Sequence, residues 1–350
     1  MDPLLAMLSK VAPGTVLREA LDNVLRAHTG ALLVLGDSPE VLAICEGGFR
    51  IDVDLTTNNL YELAKMDGAI ILTEDSRRIL YANTQLVPDS TILSQETGIR
   101  HRTAERVARQ TGKLVVAISQ RRSVITLFAG SIRYALRDSS VTLNKANQAL
   151  ATLEKYKAVF DAALADLSAL ELENRAELGA VAVVLQRAAR IRTILRELYR
   201  YTTELGTDGR LVTMQLQELT ANFDSELDRL IRDYRQREVP TETVLHDLDV
   251  LSSDQLLDPV NVLRILGYTG GRNLVETVVQ PRGYRLLAKI ARLPSNVVDR
   301  LVDHFGSLSE VESASVESLD EVEGIGEVRA RAIREGLGRL RERIFFEQRM

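Results

Sequence analysis

Between Pro88 and Pro240 the chain contains no proline, and between Gly130 and Gly179 it contains no glycine. Proline breaks helix interiors and glycine weakens them. A long stretch free of both therefore commits the middle of this 350-residue chain to long helices. From "SIRYALRDSSVTLNKANQALATLEKYKAVFDAALADLSAL" onward the apolar residues recur at three and four. Leu143, Ala146, Leu150, Leu153, Tyr156 and Phe160 form one such stripe. "ELGTDG" at 204–209 interrupts the pattern, and one further helix is expected from about 210 to 237. The reading is a helical bundle with a structural role, with no cluster of titratable residues away from its wet faces.

The flanks have other textures. "GALLVLGD" and "GAIILTED" are short apolar runs bounded by turn residues, as buried strands are. "KLVVAISQ" and "SVITLFAG" are β-branched and close together, so they predict a hairpin. Helical stretches fall near 16–28, 57–65 and 100–111. Glu74 and Asp75 in "LTEDSRR" read as a wet hairpin turn. The expected fold is thus multi-domain, α/β plus all-α. Residues 1–137 form a mixed-sheet α/β domain, 138–280 a long-helix linker bundle, and 281–350 a domain of short helices. Pro240 to Pro281 reads as a transition with turn signals such as "YTGGRN".

Composition excludes several classes. Hydrophobic residues make up 45% and charged residues 27%, ordinary for a globular chain with a substantial core. No apolar run is long enough to span a bilayer. The start "MDPLLAMLSKVAPG" lacks the basic and long apolar regions of a signal peptide, so no membrane role and a cytoplasmic location are expected. Cys45 is the only cysteine, which rules out a disulfide framework or a thiolate metal cluster. His28, His246 and His304 are scattered, as surface or core histidines are. No G-x-x-x-x-G-K-[ST] occurs, so a P-loop ATPase is disfavoured. A net charge of −5 argues against a uniformly cationic nucleic-acid coat; any nucleic-acid contact must be local.

Two local patterns carry chemistry. "TGIRHRTAERVARQTG" (97–112) gathers Arg100, His101, Arg102, Arg106 and Arg109 at the start of a helix, where the dipole is already positive. On charge alone this is either a solvated helix face or an anion site fed by free backbone N–H groups. "LDEVEGIGEVRARAI" (319–333) resembles a helix-hairpin-helix element, in which two glycines bring bare backbone close to a phosphate. "IARLPSNVVDRLVDHFG" (290–306) resembles a degenerate first copy, with Leu293-Pro294-Ser295 set against Gly324-Ile325-Gly326. Arg329 and Arg331 open the later run of arginines that could track a DNA backbone. An ordinary αα-hairpin with a Gly-Ile-Gly turn is the plainer alternative, and "EVESASVESLDEVE" is acidic.

Asp67-Gly68-Ala69, followed thirty residues on by "GIRHRTAERVA" with "NTQLVPD" between, resembles the diadenylate cyclase domain. With the helical middle and the terminal hairpins, the whole chain resembles the DNA-integrity-scanning diadenylate cyclase family. That resemblance implies condensation of two ATP into cyclic di-AMP with release of two pyrophosphates, supported by Mg2+ or Mn2+. It implies Asp67 as the catalytic carboxylate and metal ligand, with Gly68 and Ala69 letting the nucleotide lie against backbone. Leu86 would pack on the adenine, and Gly98, Ile99, Arg100, His101, Arg102 and Thr103 would hold the triphosphate. Ser119 and Arg122 would add a further contact, with Gln120 and Arg121 unassigned. Ile99 stands where the family often has threonine, so a hydroxyl contact is absent there. The resemblance further implies an octamer with face-to-face cyclase domains, and regulation by branched or junction DNA without sequence preference. The alternative from another class is a non-enzymatic DNA-junction binder whose α/β domain binds ATP or oligomerises.

Overall fold

The run "ALLVL" is buried at every position, and it becomes the central strand of the sheet. The structure, a computed structural model, describes residues 2–236 and 239–347. The strands are β1 (Ala31–Leu35), β2 (Cys45–Glu46), β3 (Phe49–Asp54), β4 (Ala69–Leu72), β5 (Arg78–Leu86), β6 (Leu114–Ser119), β7 (Val124–Ala129) and β8 (Ile132–Ala135). Their order is β2-β5-β4-β1-β6-β7-β8, with β3 also paired to β5. β1 and β4 are parallel; the other pairs are antiparallel. The expected β6–β7 hairpin is present, with Ser119 opposite Val124, and Glu74 and Asp75 lie in the exposed β4–β5 turn. Ile132–Ala135, expected to start the helical middle, instead extends the sheet as β8. Tyr134 holds its far side, donating to buried Glu204 at 2.7 Å, and burial with this contact pushes the phenol up to about 12.

Alternation along β1 divides the core in two. Ala31, Leu33 and Leu35 join a cluster with Leu8, Leu21, Val24 and Leu60, which come from α1 (Pro3–Lys10), α2 (Val16–Arg26) and α4 (Thr57–Leu63). Leu32 and Val34 join the other cluster with Val41 of α3 (Pro39–Leu42) and Ala104, Val107 and Ala108 of α5 (Ile99–Thr111). The apolar stripe of the basic helix is therefore its packing face, and its charges face elsewhere.

The long helices are α6 (Ser139–Leu172) and α7 (Leu178–Leu205). Next come α8 (Arg210–Thr220) and α9 (Phe223–Tyr234); the single helix expected from 210 to 237 is broken at Ala221–Asn222, and position 237 lies outside the described residues. Pro240 to Pro281 holds three α-helices, α10 (Thr241–Val250), α11 (Ser253–Leu257) and α12 (Pro259–Ile265), and a 3-10 turn at Arg272–Glu276. Each α-helix begins beside a capping signal (Pro240, the Ser252–Gln255 capping box, and Asp258 ahead of Pro259), which ordinary periodicity over so short a run does not reveal. The chain ends in α13 (Tyr284–Leu287), α14 (Ser295–Phe305), α15 (Leu308–Ser313), α16 (Val316–Asp320) and α17 (Glu327–Glu347). It divides into two compact units, Met1–Gln148 with Leu198–Met214, and Ala149–Glu197 with Gln215–Met350.

The second unit corrects one expectation: it contains a buried charged cluster. Arg285 is 0% exposed and reaches Ser168 Oγ at 2.7 Å and the Glu171 carboxylate. Glu171 also accepts from Tyr234 Oη at 2.6 Å. Asp233 accepts the backbone N–H groups of Gly283 and Tyr284 at 2.7 Å and of Arg285 at 3.1 Å, so it caps α13 from another helix. Burial, and then Glu171 beside it, raise the Asp233 carboxyl to about 7 against the pull of Arg285 and these amides. Helical periodicity could not show the cluster because its cation comes from beyond the bundle helices. Truncating one partner of a buried pair leaves a charge stranded. Glu171→Ala should lower stability by about 3–5 kcal/mol, and Glu171→Gln, which keeps an acceptor, by less. Thermal unfolding of the full chain measures this; equal melting of Glu171→Ala and the unmodified protein would refute it.

Candidate active site

α5 is preceded at its N-cap by Gly98, which has no side chain to cap the first turn, so amide N–H groups at Ile99 to His101 are left without a side-chain cap. They open onto a cleft of about 940 Å3 between β5, the start of α5 and the β6–β7 turn. Its volume lies at the upper end of the range for small-molecule sites, about 300–1,000 Å3. Gly68, Ala69, Leu86, Gly98, Ile99, Arg100, His101, Thr103, Ser119 and Arg122 all line it. Asp67 and Arg102 do not: Asp67 is exposed just before Gly68, outside the lining.

The basic run divides by task. Arg102 Nε donates to Glu96 O at 3.3 Å, Arg106 Nε to Ile92 O at 2.9 Å, and Arg109 Nη1 to Leu93 O at 2.8 Å. Buried Glu105 accepts from Ser94 Oγ at 2.5 Å, Gln95 N at 3.1 Å and Arg109 Nη2 at 2.6 Å. Three of the arginines thus fasten the 92–97 loop against the helix. Among the described residues Arg100 has no hydrogen-bond or ion-pair partner, and it is half-buried at the cleft. His101 packs edge-on to Phe128, with ring centroids 6.3 Å apart. Burial lowers its imidazole below the usual value, and Arg133, Arg100 and Arg122 add to this against Glu96. The shift favours the neutral ring.

Gly68 has a reason to be glycine within the sheet itself. Its φ is +92°, and a Cβ there would lie 2.8 Å from Asn83 C and 3.0 Å from Thr84 N. β5 carries an extra residue opposite this point: Ala69 pairs with Thr84, but Ile71 pairs with Tyr81. Asn83, at φ +54°, sits in that bulge. The bulge turns Asn83, Thr84 and Gln85 into the cleft lining, together with Leu32, Glu96, Thr97, Ile118, Gln120 and Arg121. Sequence reading assigned Leu86 of this strand but gave Asn83, Thr84 and Gln85 no role. The available signal was an asparagine, tolerant of left-handed backbone, inside an otherwise strand-like run.

No helix is long and apolar enough to cross a membrane among the described residues. Nor, among these residues, do three or more His, Cys, Asp or Glu side chains converge as a metal site would require.

The terminal segment supplies two turn-and-helix units on one core. Gly324 has φ +84° and Arg292 φ +63°. Ile325 N donates to Val322 O, as Leu293 N does to Ile290 O. Ala330 N donates to Gly326 O, as Val298 N does to Pro294 O. The matching triplets are therefore Arg292-Leu293-Pro294 and Gly324-Ile325-Gly326, one residue earlier than Leu293-Pro294-Ser295. Pro294 caps the start of α14 as Gly326 does that of α17, so proline and glycine occupy the same place, which the residue types alone conceal. Gly324 and Gly326 are exposed, while the Ile325 side chain is buried, leaving only its backbone for a partner. Arg329 donates to Gly324 O and Arg331 pairs with Glu327, both at the surface.

Residues 18–132 match the family described as DisA bacterial checkpoint controller nucleotide-binding, and residues 136–275 match the DisA bacterial checkpoint controller linker region. A relative from Carboxydothermus hydrogenoformans named DNA integrity scanning protein DisA is 56% identical over 96% of both chains. Relatives of the same name from Symbiobacterium thermophilum and Clostridium kluyveri are 53% and 51% identical over at least 97% of either chain. With its mixed α/β nucleotide-binding domain, its long helical linker and a helical C-terminal part, the chain belongs to the DisA family of DNA integrity scanning proteins.

Proposed function

We propose that the protein is a diadenylate cyclase that joins two ATP molecules into cyclic di-AMP and slows when branched DNA is bound. The observation that carries this reading is Arg100, a half-buried cation without a partner among the described residues, beside uncapped helix amides in a nucleotide-sized cleft. Each 3′-oxygen forms a bond to the α-phosphorus of the other ATP. The α–β phosphoanhydride bond breaks, pyrophosphate leaves, and the 3′-hydroxyl proton passes to a base. Arg100 and the α5 amides hold the triphosphate, and Thr103, Ser119 and Arg122 complete its surroundings. Asp67 lies outside the cleft of its own chain, which suits a carboxylate that serves the nucleotide of a facing copy. Exposed Leu93 and Ile99 flank the site and support such a pair. The family resemblance extends the pair to an octamer in the cytoplasm.

A divalent ion, Mg2+ or Mn2+, would supply charge neutralisation on the phosphates. With no converging set of protein ligands among the described residues, it fits here as an ion held by Asp67 and phosphate oxygens together. Branched DNA would meet the exposed backbone of Gly324 and Gly326, with Arg329 and Arg331 exchanging their local partners for phosphates. The test is to incubate the full chain with ATP and either ion. Cyclic di-AMP is expected; unchanged ATP, or ADP alone, would overturn the reading.

The divided basic run gives a sharper expectation. Arg100→Ala should weaken ATP binding roughly tenfold or more, as loss of a hydrogen bond to a charged group does, with most of the loss at low salt. Arg102→Ala should change it only a few-fold, through a looser 92–97 loop. Thermal shift with ATP compares the two; a larger loss at Arg102 would put the triphosphate on the other side of the helix.

A further inference from the structure

At the head of β1, a Cβ built on Gly30 would lie 2.0 Å from Arg100 Nη1, 2.9 Å from Arg100 Cζ and 3.2 Å from the Ile118 carbonyl oxygen. The Arg100 guanidinium therefore occupies the space that a side chain at position 30 would fill. Gly30 has no left-handed backbone to explain it, so its backbone conformation alone does not demand glycine. What a methyl group would have to displace is a side chain, the one arginine of the run left without a partner. Ile118, whose carbonyl bounds the same space, lines the cleft, as does Arg100.

We infer that Gly30 is a positioning residue for the nucleotide site: its bare Cα is the seat on which the Arg100 guanidinium lies. The physical reasoning is steric and entropic. A long arginine side chain on a helix surface samples many rotamers, and fixing it on binding costs free energy. A floor of backbone beneath the planar guanidinium restricts it beforehand, at the wall of the cleft that Arg100 lines. A methyl at position 30 would lift the group off this floor without altering its charge. The sequence signal is small: a glycine one residue ahead of the fully buried strand, where a turn residue is unremarkable.

This rests on the reading of Arg100 as a phosphate contact, and a double-mutant cycle separates the two claims. The probe is 3′-deoxy-ATP, which keeps the triphosphate but cannot attack, titrated into the full chain with Mg2+. Gly30→Ala is expected to weaken binding roughly tenfold, approaching Arg100→Ala, and to flatten the salt dependence as Arg100→Ala does. Adding Gly30→Ala to Arg100→Ala should cost no further affinity, and that double variant should melt close to Arg100→Ala, because the guanidinium contact is gone and the Ile118 carbonyl oxygen at 3.2 Å has to give only slightly. Additive losses would overturn the inference while leaving Arg100 in the site. Unchanged binding in Gly30→Ala alone would do the same. Melting of the double variant well below Arg100→Ala would make Gly30 a requirement of the sheet, and would overturn it too. Unchanged binding in Arg100→Ala would overturn the site reading and this inference together.

Discussion

Asp67→Asn should lower cyclic di-AMP synthesis by roughly 10^2–10^4-fold, the usual contribution of a positioned general base, while ATP affinity stays within a few-fold. The side chain is exposed and outside the cleft lining, so the amide removes no contact from the nucleotide's own pocket. On the proposed mechanism it removes the proton acceptor for the 3′-hydroxyl and the negative charge that would hold the divalent ion. Asp67 is the carboxylate of the Asp-Gly-Ala segment, and the backbone there is held by the glycine's close approach to Asn83 and Thr84. The substitution should therefore leave the fold intact. Turnover and ATP binding are measured on the same preparation. Synthesis near the unmodified rate would remove Asp67 from the chemistry.

Gly324→Glu combined with Gly326→Glu should abolish binding to branched DNA. At Gly324 the backbone is left-handed, and an added Cβ would lie 2.6 Å from Arg300 Nη1. That arginine donates to Glu323 O at 2.8 Å and so ties α14 to the second turn. A side chain at 324 strains the turn and displaces this tie, and the two carboxylates repel phosphate. The same variant should also lose the fall in cyclase activity when a four-way junction is titrated in. Coupling of this kind requires that DNA favour one arrangement of the cyclase domains over another. Equal inhibition of the variant and the unmodified protein would place the DNA contact elsewhere.

Much of the first unit is legible in the sequence. Continuous apolar runs identified β1 and β4, and the β-branched pair identified β6 and β7, because buried strands leave little choice of residue. β8 was not, because "IRYA" reads equally well as the head of a helix. The basic run showed that something anionic or structural was needed at α5. It could not show that Arg102, Arg106 and Arg109 serve loop carbonyls, since those partners lie 6 to 16 residues away in the chain. The role of Gly68 was also hidden: its constraint is the bulge in β5, a feature of pairing. The Glu171–Arg285 pair joins residues 114 apart, beyond any local pattern.

Reciprocal attack between two bound ATP molecules is tested most directly by supplying ATP and 3′-deoxy-ATP in equal amounts with Mn2+ or Mg2+. The ATP 3′-oxygen can still attack the analogue, but the analogue cannot close the ring. The mixture should accumulate a linear dinucleotide triphosphate with one pyrophosphate released per molecule, beside cyclic di-AMP with two. The analogue alone should release none. Pyrophosphate from 3′-deoxy-ATP alone, or the absence of any linear product in the mixture, would contradict the proposed reaction.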